Sequence, residues 1–202
     1  MAGNVYALVG APRLEAYAPP SGTIAASFQE WVEGQRVTVL DVLERAVARW
    51  QPLALSVVIN FVHPVVGPAG AIVVQHVRGD PRRLRRRADR LAVIPFVELT
   101  PYLTIWKDGG SVVTHVDEMP DALARRYAAT PIRWSANHPL HVEGHWVGLV
   151  GAATGERGFS TEALDGFAAL GRLLTADFEA YRAWRHFREI PRSPQRALRL
   201  LP

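Results

Sequence analysis

The sequence predicts an α+β fold in which short strands, paired across tight turns, are interspersed with amphipathic helices. Two pairs of apolar, β-branched segments, 53–62 with 71–77 and 131–142 with 145–154, each flank a turn that contains Gly. Such pairs are typical of β-hairpins. The segments around them place apolar residues three and four positions apart, which is the spacing of a helix with one buried face.

The first half of the chain predicts two helices followed by the first hairpin. Residues 1–22 are rich in Ala, Gly and Pro and are interpreted as a loose arm. Helical spacing of apolar residues predicts helices over 23–34 and 38–50. The segments 53–62 and 71–77 are too short for long helices, so we interpret both as strands, with the Pro- and Gly-containing turn between them.

In the second half of the chain, residue pairs that typically begin helices alternate with short apolar segments. An Asp-Pro pair predicts a helix over 80–91, because Asp is a good N-cap and Pro fits the first helical position. A Thr-Pro pair predicts a second short helix over 101–108. We expect a strand over 111–116, a helix over 117–128 and a long final helix over 159–187. Apolar residues at alternating spacings of three and four along this final helix form a heptad seam. These are Leu164, Phe167, Gly171, Leu174, Phe178 and Tyr181.

Composition excludes several kinds of chemistry. The 202 residues are 49% apolar and 21% charged, ordinary values for a globular protein. The chain has no cysteine, which excludes disulfides, thiolate metal sites and cysteine nucleophiles. The N-terminus lacks a basic leader, and no segment approaches the ~18 consecutive apolar residues of a spanning helix. We therefore expect a cytoplasmic protein with no membrane partner.

The net charge of +4 is unevenly distributed. Residues 78–90 carry seven Arg and two Asp, and residues 182–202 carry six Arg and one Glu. Each stretch has a net charge of +5, which leaves −6 for the rest of the chain. The protein is thus a mildly acidic body with two basic stretches, the places where an acidic partner would be bound.

Motifs in the C-terminal half resemble those of a known family. Residues 138–151 read HPLHVEGHWVGLVG and are followed by GFSTEALDGFAALGRLLTADFEAY. This succession of strand, Gly turn, strand and long helix resembles the end of a GAF domain. Upstream, GGSVVTHVDE at 109–118 resembles the Gly-x-Pro-Val-Val-x-Asp-Val segment of the same family, which is followed by a helix. The resemblance covers residues 23–188, which leaves 1–22 as an N-terminal arm and 189–202 as a basic C-terminal tail.

The resemblance implies a GAF-like central antiparallel sheet of five to six strands flanked by helices on both faces. It also implies a sensor module, since the family mostly binds cyclic nucleotides, bilins, haem or small metabolites. Its terminal helices often pair, so we expect a homodimer through residues 160–188. The family's sulfoxide reductases and its covalent bilin sites both use cysteine, and both are excluded here. The residues identify no cofactor, and the expected ligand is an unknown small molecule bound without catalysis.

Candidate ligand-binding residues come from aromatic and polar positions around the expected pocket. Tyr102 and Trp106 are four residues apart on a helix and so share one face. Trp134 and His115 lie on predicted strands, and a largely apolar pocket with few polar groups would suit them. The alternative is that the tryptophans only fill the core. The full predicted set is Tyr102, Trp106, His115, Asp117, Trp134 and His138.

The Arg-rich helix supports an alternative function. A patch of arginines could bind a protein or a nucleic acid, which would make the protein an interaction adaptor with a vestigial pocket. No nucleic-acid-binding motif accompanies it, which argues against nucleic acid as the partner. The patch consists of Arg82, Arg83, Arg85, Arg86, Arg87 and Arg90.

Metal, haem and catalytic alternatives rest on the histidines. His138 and His141 have odd spacing on a strand and should point to opposite faces, and His145 lies beyond the turn, which disfavours a shared zinc ion. One histidine could hold haem. A hydrolase or isomerase would have to use His115 with Asp117, but no nucleophile elbow or phosphate loop is present, and we expect no enzyme.

Overall fold

The computed structural model describes residues 24–78 and 93–189, with side chains as far as Arg185. The predicted arm, the Arg-rich helix and the basic tail beyond residue 189 lie outside the described residues. Within them are five α-helices and six strands. The helices are α1 (Ile24–Gly34), α2 (Arg36–Trp50), α3 (Thr100–Lys107), α4 (Asp121–Tyr127) and α5 (Thr161–Glu189). The strands are β1 (Ala54–His63), β2 (Gly67–Val77), β3 (Val93–Pro95), β4 (Val112–His115), β5 (Trp134–Val142) and β6 (His145–Thr154).

The six strands form one sheet in the order β3-β2-β1-β6-β5-β4, and every neighbouring pair is antiparallel. The expected α+β architecture is confirmed, with helices on both faces. Both predicted hairpins are present, β1 with β2 and β5 with β6. The second turns at Glu143 and Gly144, whose φ values of 51° and 77° are those of a tight hairpin turn.

One face of the sheet packs against α1, α2 and α5 and holds the larger core. Strand alternation directs Leu55, Val57 and Ile59 of β1 into this core, where they are fully or nearly fully buried. Phe167 and Phe178 of α5 fill it from the helix side. The heptad seam of α5 therefore packs on its own sheet, which accounts for the periodicity without a second subunit.

The structure differs from the predicted elements at a proline and near one edge of the sheet. The helix expected over 117–128 is a 3-10 turn at Val116–Glu118 followed by α4. Pro120 disfavours helical backbone at Met119, whose φ of −76° and ψ of 153° are extended. Strand β2 begins four residues earlier than predicted, and β3 was not predicted because three residues carry no periodicity.

Candidate functional site

The second face of the sheet carries a cavity of about 100 Å³. Its floor is formed by β1, β2, β5 and β6, and its cover by residues 94–106 and 123–132. Strand alternation places Ser56, Val58 and Asn60 here, opposite the three apolar residues of β1 that enter the main core. Other lining residues are Gly70, Ile72, Gln75, Phe96, Leu99, Tyr102, Trp106, Leu123, Tyr127, Thr130, Ile132, Ser135, Asn137, Leu149 and Gly151.

Aromatic rings from the cover and from β6 form one side of this region. Phe96 stacks on Trp146 with 5.2 Å between ring centroids, and Trp106 lies 5.9 Å from Trp146. Tyr102 contacts Trp106 at 5.4 Å, one helical turn earlier on α3. Because Tyr102 and Trp106 share one face of α3, both line the cavity, as their spacing predicted.

Three polar atoms of the lining residues have no hydrogen-bond partner within the described ranges. They are Asn60 Oδ1, the Tyr102 hydroxyl and Trp106 Nε1, and all three atoms are buried. The other end of the same amide is satisfied, since Asn60 Nδ2 donates to the Trp146 carbonyl oxygen at 3.2 Å. A buried polar group without a partner costs about 1–3 kcal/mol. All three atoms belong to residues that line the same cavity.

The cavity is electrically neutral as far as the structure describes it. No Asp, Glu, Lys, Arg or His is among its described lining residues. One ion pair lies on the covering elements, where Arg126 Nη2 is 2.6 Å from Glu98 Oε2. Burial raises the pKa of Tyr127 above its ordinary value, against a smaller lowering by Arg126, so this lining phenol stays protonated.

The structure separates the six residues predicted to bind a ligand. Tyr102 and Trp106 line the cavity, and the other four do not. His115 and Trp134 are cross-strand partners on β4 and β5, with 4.9 Å between their ring centroids. The carboxylate of Asp117 lies 3.4 Å from His115 Nδ1 and is largely exposed. These three form a separate surface group at the end of the two strands.

His138 lies on the opposite face of the sheet, among the residues that pack towards α5. It shares the parity of Ala136 and Leu140, which belong to the main core, and its side chain is 5% exposed. Ser111 Oγ lies 2.8 Å from His138 Nδ1, while Nε2 has no partner in the described part of the chain. Burial holds the pKa of His138 below its ordinary value of 6.5, assisted by Arg172 and opposed by Asp165.

This shift gives the protein a pH-dependent stability. Since the unfolded chain takes up a proton at His138 near the ordinary pKa and the folded chain only at lower pH, the free energy of unfolding falls as the pH drops through about 6.5. His138→Gln should show a smaller decrease than the wild type between about pH 7.5 and about pH 5.5 in urea unfolding. The matched control is His145→Gln, at the exposed first residue of β6. Equal decreases in all three proteins would contradict this assignment.

Three further expectations concern the arginine patch, a metal ion and a membrane span. The six arginines of the proposed acidic-partner patch lie outside the described residues, so the patch stays a prediction. In the described parts of the chain, no group of three or more acidic or histidine side chains could hold a metal ion. None of the described helices is long and apolar enough to cross a membrane.

The sequence interpretation missed the polar residues of the sheet floor. Ser56 and Asn60 are the polar residues within the otherwise apolar segment 53–62, and they are four positions apart. In a strand this even spacing places both on one face. That signal indicates a polar site on the sheet, and it was available from the sequence alone.

The fold is that of GAF domains. No protein-family model matches the chain, and no curated protein matches it significantly. The blue-light-absorbing form of the PixJ GAF domain from Thermosynechococcus elongatus matches with a TM-score of 0.59 at 15% identity, covering 82% of this chain and 95% of that one. GAF3 of Slr1393 from Synechocystis, in its photoproduct state, matches with a TM-score of 0.60 at 14% identity, covering 75% and 98%.

A protein with GAF and HD domains from Geobacter sulfurreducens also matches, with a TM-score of 0.56 at 11% identity, covering 75% of this chain and 94% of that one. At such identities the likeness establishes the fold alone. It confirms the GAF-like fold that the motifs at 138–170 indicated.

Proposed function

We propose that the protein is a non-catalytic sensor module that binds a small molecule in the cavity beneath α3. The observation that carries this proposal is a largely apolar cavity, three of whose lining residues, Asn60, Tyr102 and Trp106, each have a buried polar atom with no partner in the described part of the chain. Ligand sites are typically apolar concavities with a few placed polar groups. The GAF-like fold supports a sensory role, since two of the similar structures are named for light-absorbing or photoproduct states.

Binding without catalysis suits the chemistry of the lining. Its described polar groups are amides, hydroxyls and one indole, which hold and orient a molecule but do not titrate near neutral pH. General acid–base catalysis needs a group whose pKa lies near the working pH. The His115 and Asp117 pair, the alternative for a hydrolase or isomerase, lies away from the cavity.

A ligand in this cavity would act on α5 through β6. Leu149 and Gly151 line the cavity, while Val150 between them packs into the core beneath α5. Gly171 brings the backbone of α5 close to this region, where an added Cβ would lie 3.0 Å from Leu140 Cδ2. We expect α5 to transmit occupancy to a second copy, because Leu173 and Trp184 remain about half exposed on it.

Native mass spectrometry of the freshly purified protein tests the binding claim. We expect a non-covalent adduct on the wild type and none on Ile72→Trp, because the larger ring would fill space in the cavity wall. The matched control is Val113→Trp on the exposed side of edge strand β4, which should retain the adduct.

Two outcomes would contradict the proposal. An unliganded wild type would remove the claim of a bound metabolite, and an adduct that survives Ile72→Trp would place the ligand elsewhere. The same spectra report mass per particle and so test the expected homodimer. A monomer at micromolar concentration would contradict pairing through residues 160–188.

A further inference from the structure

The cavity described above restricts the charge of what it can hold. Transfer of an ion from water into an apolar site is costly unless a counter-charge or several hydrogen bonds receive it. None of the described lining residues is charged, and Arg126 and Glu98 on the covering elements neutralise each other at 2.6 Å. An anion or a cation would therefore enter this part of the cavity with no partner for its charge.

The unpartnered atoms restrict which hydrogen-bond donors and acceptors the ligand must carry. Trp106 Nε1 can only donate, Asn60 Oδ1 can only accept, and the Tyr102 hydroxyl can do either. A molecule that satisfies all three must itself carry at least one acceptor and one donor. A hydrocarbon would leave every one of these atoms unpaired.

The volume of the cavity restricts the size of the ligand. The cavity measures about 100 Å³. An engineered cavity of about 150 Å³ accepts benzene, so the space here suits a ligand, or a ligand moiety, slightly smaller than a six-membered ring. Aromatic faces from Phe96, Tyr102 and Trp106 favour an apolar body on that moiety.

We infer that the sensed ligand presents to this cavity a compact, uncharged group with one hydrogen-bond donor and one acceptor, such as a primary or ring amide. This inference rests on the proposed function of the same cavity. It is more specific, because it distinguishes an amide from carboxylates, phosphates and amines of similar size.

Three small probes of similar size test the inference on the full chain. Propionamide, propionate and propylammonium differ in charge and in donor and acceptor pattern, and they have five, five and four non-hydrogen atoms. We expect propionamide to shift the backbone amide resonances of Asn60 and Gly151 in a titration followed by NMR. Propionate and propylammonium should leave them unchanged at equal concentration. Equal or tighter binding of either ion would overturn the inference, and so would the absence of a propionamide shift.

Conservative variants show whether the polar groups of Tyr102 and Trp106 bind the ligand or only support the fold. Tyr102→Phe and Trp106→Phe remove one unpartnered polar group each, so we expect propionamide binding to weaken about 2- to 10-fold. The thermal stability of the free protein should be unchanged or higher for Tyr102→Phe and lower for Trp106→Phe, because the smaller ring leaves a void in a buried cluster. Tyr181→Phe on α5, across the sheet, is the matched control and should change neither. Lower stability with unchanged binding in both cavity variants would overturn the inference.

The outcomes also distinguish this inference from the proposed function. If native mass spectrometry identifies a charged ligand whose binding Ile72→Trp abolishes, the sensor function stands and the uncharged class is wrong. If no ligand binds in the cavity by either method, both fail.

Discussion

Gly148→Ala is expected to destabilise the protein by about 3 kcal/mol or more, a large fraction of the stability of an ordinary domain. Gly148 lies on β6 opposite Ile59 of β1, and an added methyl group would overlap the carbonyl oxygen of Val58. Since this neighbour is backbone in a central strand, no side-chain rotation relieves the overlap, and the two strands would have to separate. Urea unfolding followed by circular dichroism measures the effect.

A second glycine serves as the control for this substitution. Gly34, at the end of α1, has no heavy atom near the position of an added methyl group and no left-handed backbone. Gly34→Ala should therefore be neutral or stabilise the protein by up to about 1 kcal/mol. If Gly148→Ala unfolds at the same urea concentration as this control, the close pairing of β1 with β6 is wrong.

Phe178→Ala is expected to cost about 3–5 kcal/mol, because it leaves a void in the main core. Phe178 is fully buried on α5 and contacts Phe28 at 5.2 Å and Trp31 at 5.6 Å between ring centroids. This contact holds α5 to α1. It lies well along α5 from the turn that precedes this helix. The free energy of unfolding from urea titration is again the measurement.

Val37→Ala on α2 provides the comparison, since this side chain is 76% exposed. Removal of an exposed apolar side chain should change stability by no more than about 0.5 kcal/mol. A cost for Phe178→Ala that matches the control would mean that α5 does not pack on α1. The heptad seam would then be free to pair with another chain, as the sequence alone suggested.

Much of the fold follows from local chemistry that the sequence displays. The turn at Glu143 and Gly144 was predictable because a two-residue hairpin needs positive φ, which glycine adopts at no cost. A glycine inside a strand also indicates a close approach of another backbone, and the structure shows one at Gly148. In contrast, β3 is defined only by its pairing with β2, and a three-residue pairing leaves no local pattern.

The site was less predictable, because strand parity and long-range register decide which residues meet. Tyr102 and Trp106 could be assigned together because both lie on one short helix. His138 was grouped with them from its place on β5, yet it shares the face of Leu140. Asn137, its neighbour, is the residue that lines the cavity. The pairing register of β5 with β6 is needed to show whether His138 or Asn137 points towards the elements that cover the cavity.

The unpartnered atoms could not be predicted from sequence at all. Whether Asn60 Oδ1 or Trp106 Nε1 finds a partner depends on contacts between segments far apart in the chain. Sequence reasoning can place a polar residue on a buried strand face, as with Ser56 and Asn60. It cannot show that one end of the Asn60 amide is satisfied by Trp146 while the other has no partner in the described part of the chain.

A high-resolution crystal structure of the freshly purified protein tests the central claim most directly. We expect electron density for a small organic molecule in the cavity, within hydrogen-bond distance of Asn60 Oδ1, the Tyr102 hydroxyl and Trp106 Nε1. Ordered water molecules that satisfy all three atoms, or side chains collapsed into the cavity, would contradict it. Either result would show that these polar groups are completed without a ligand and that the cavity senses nothing.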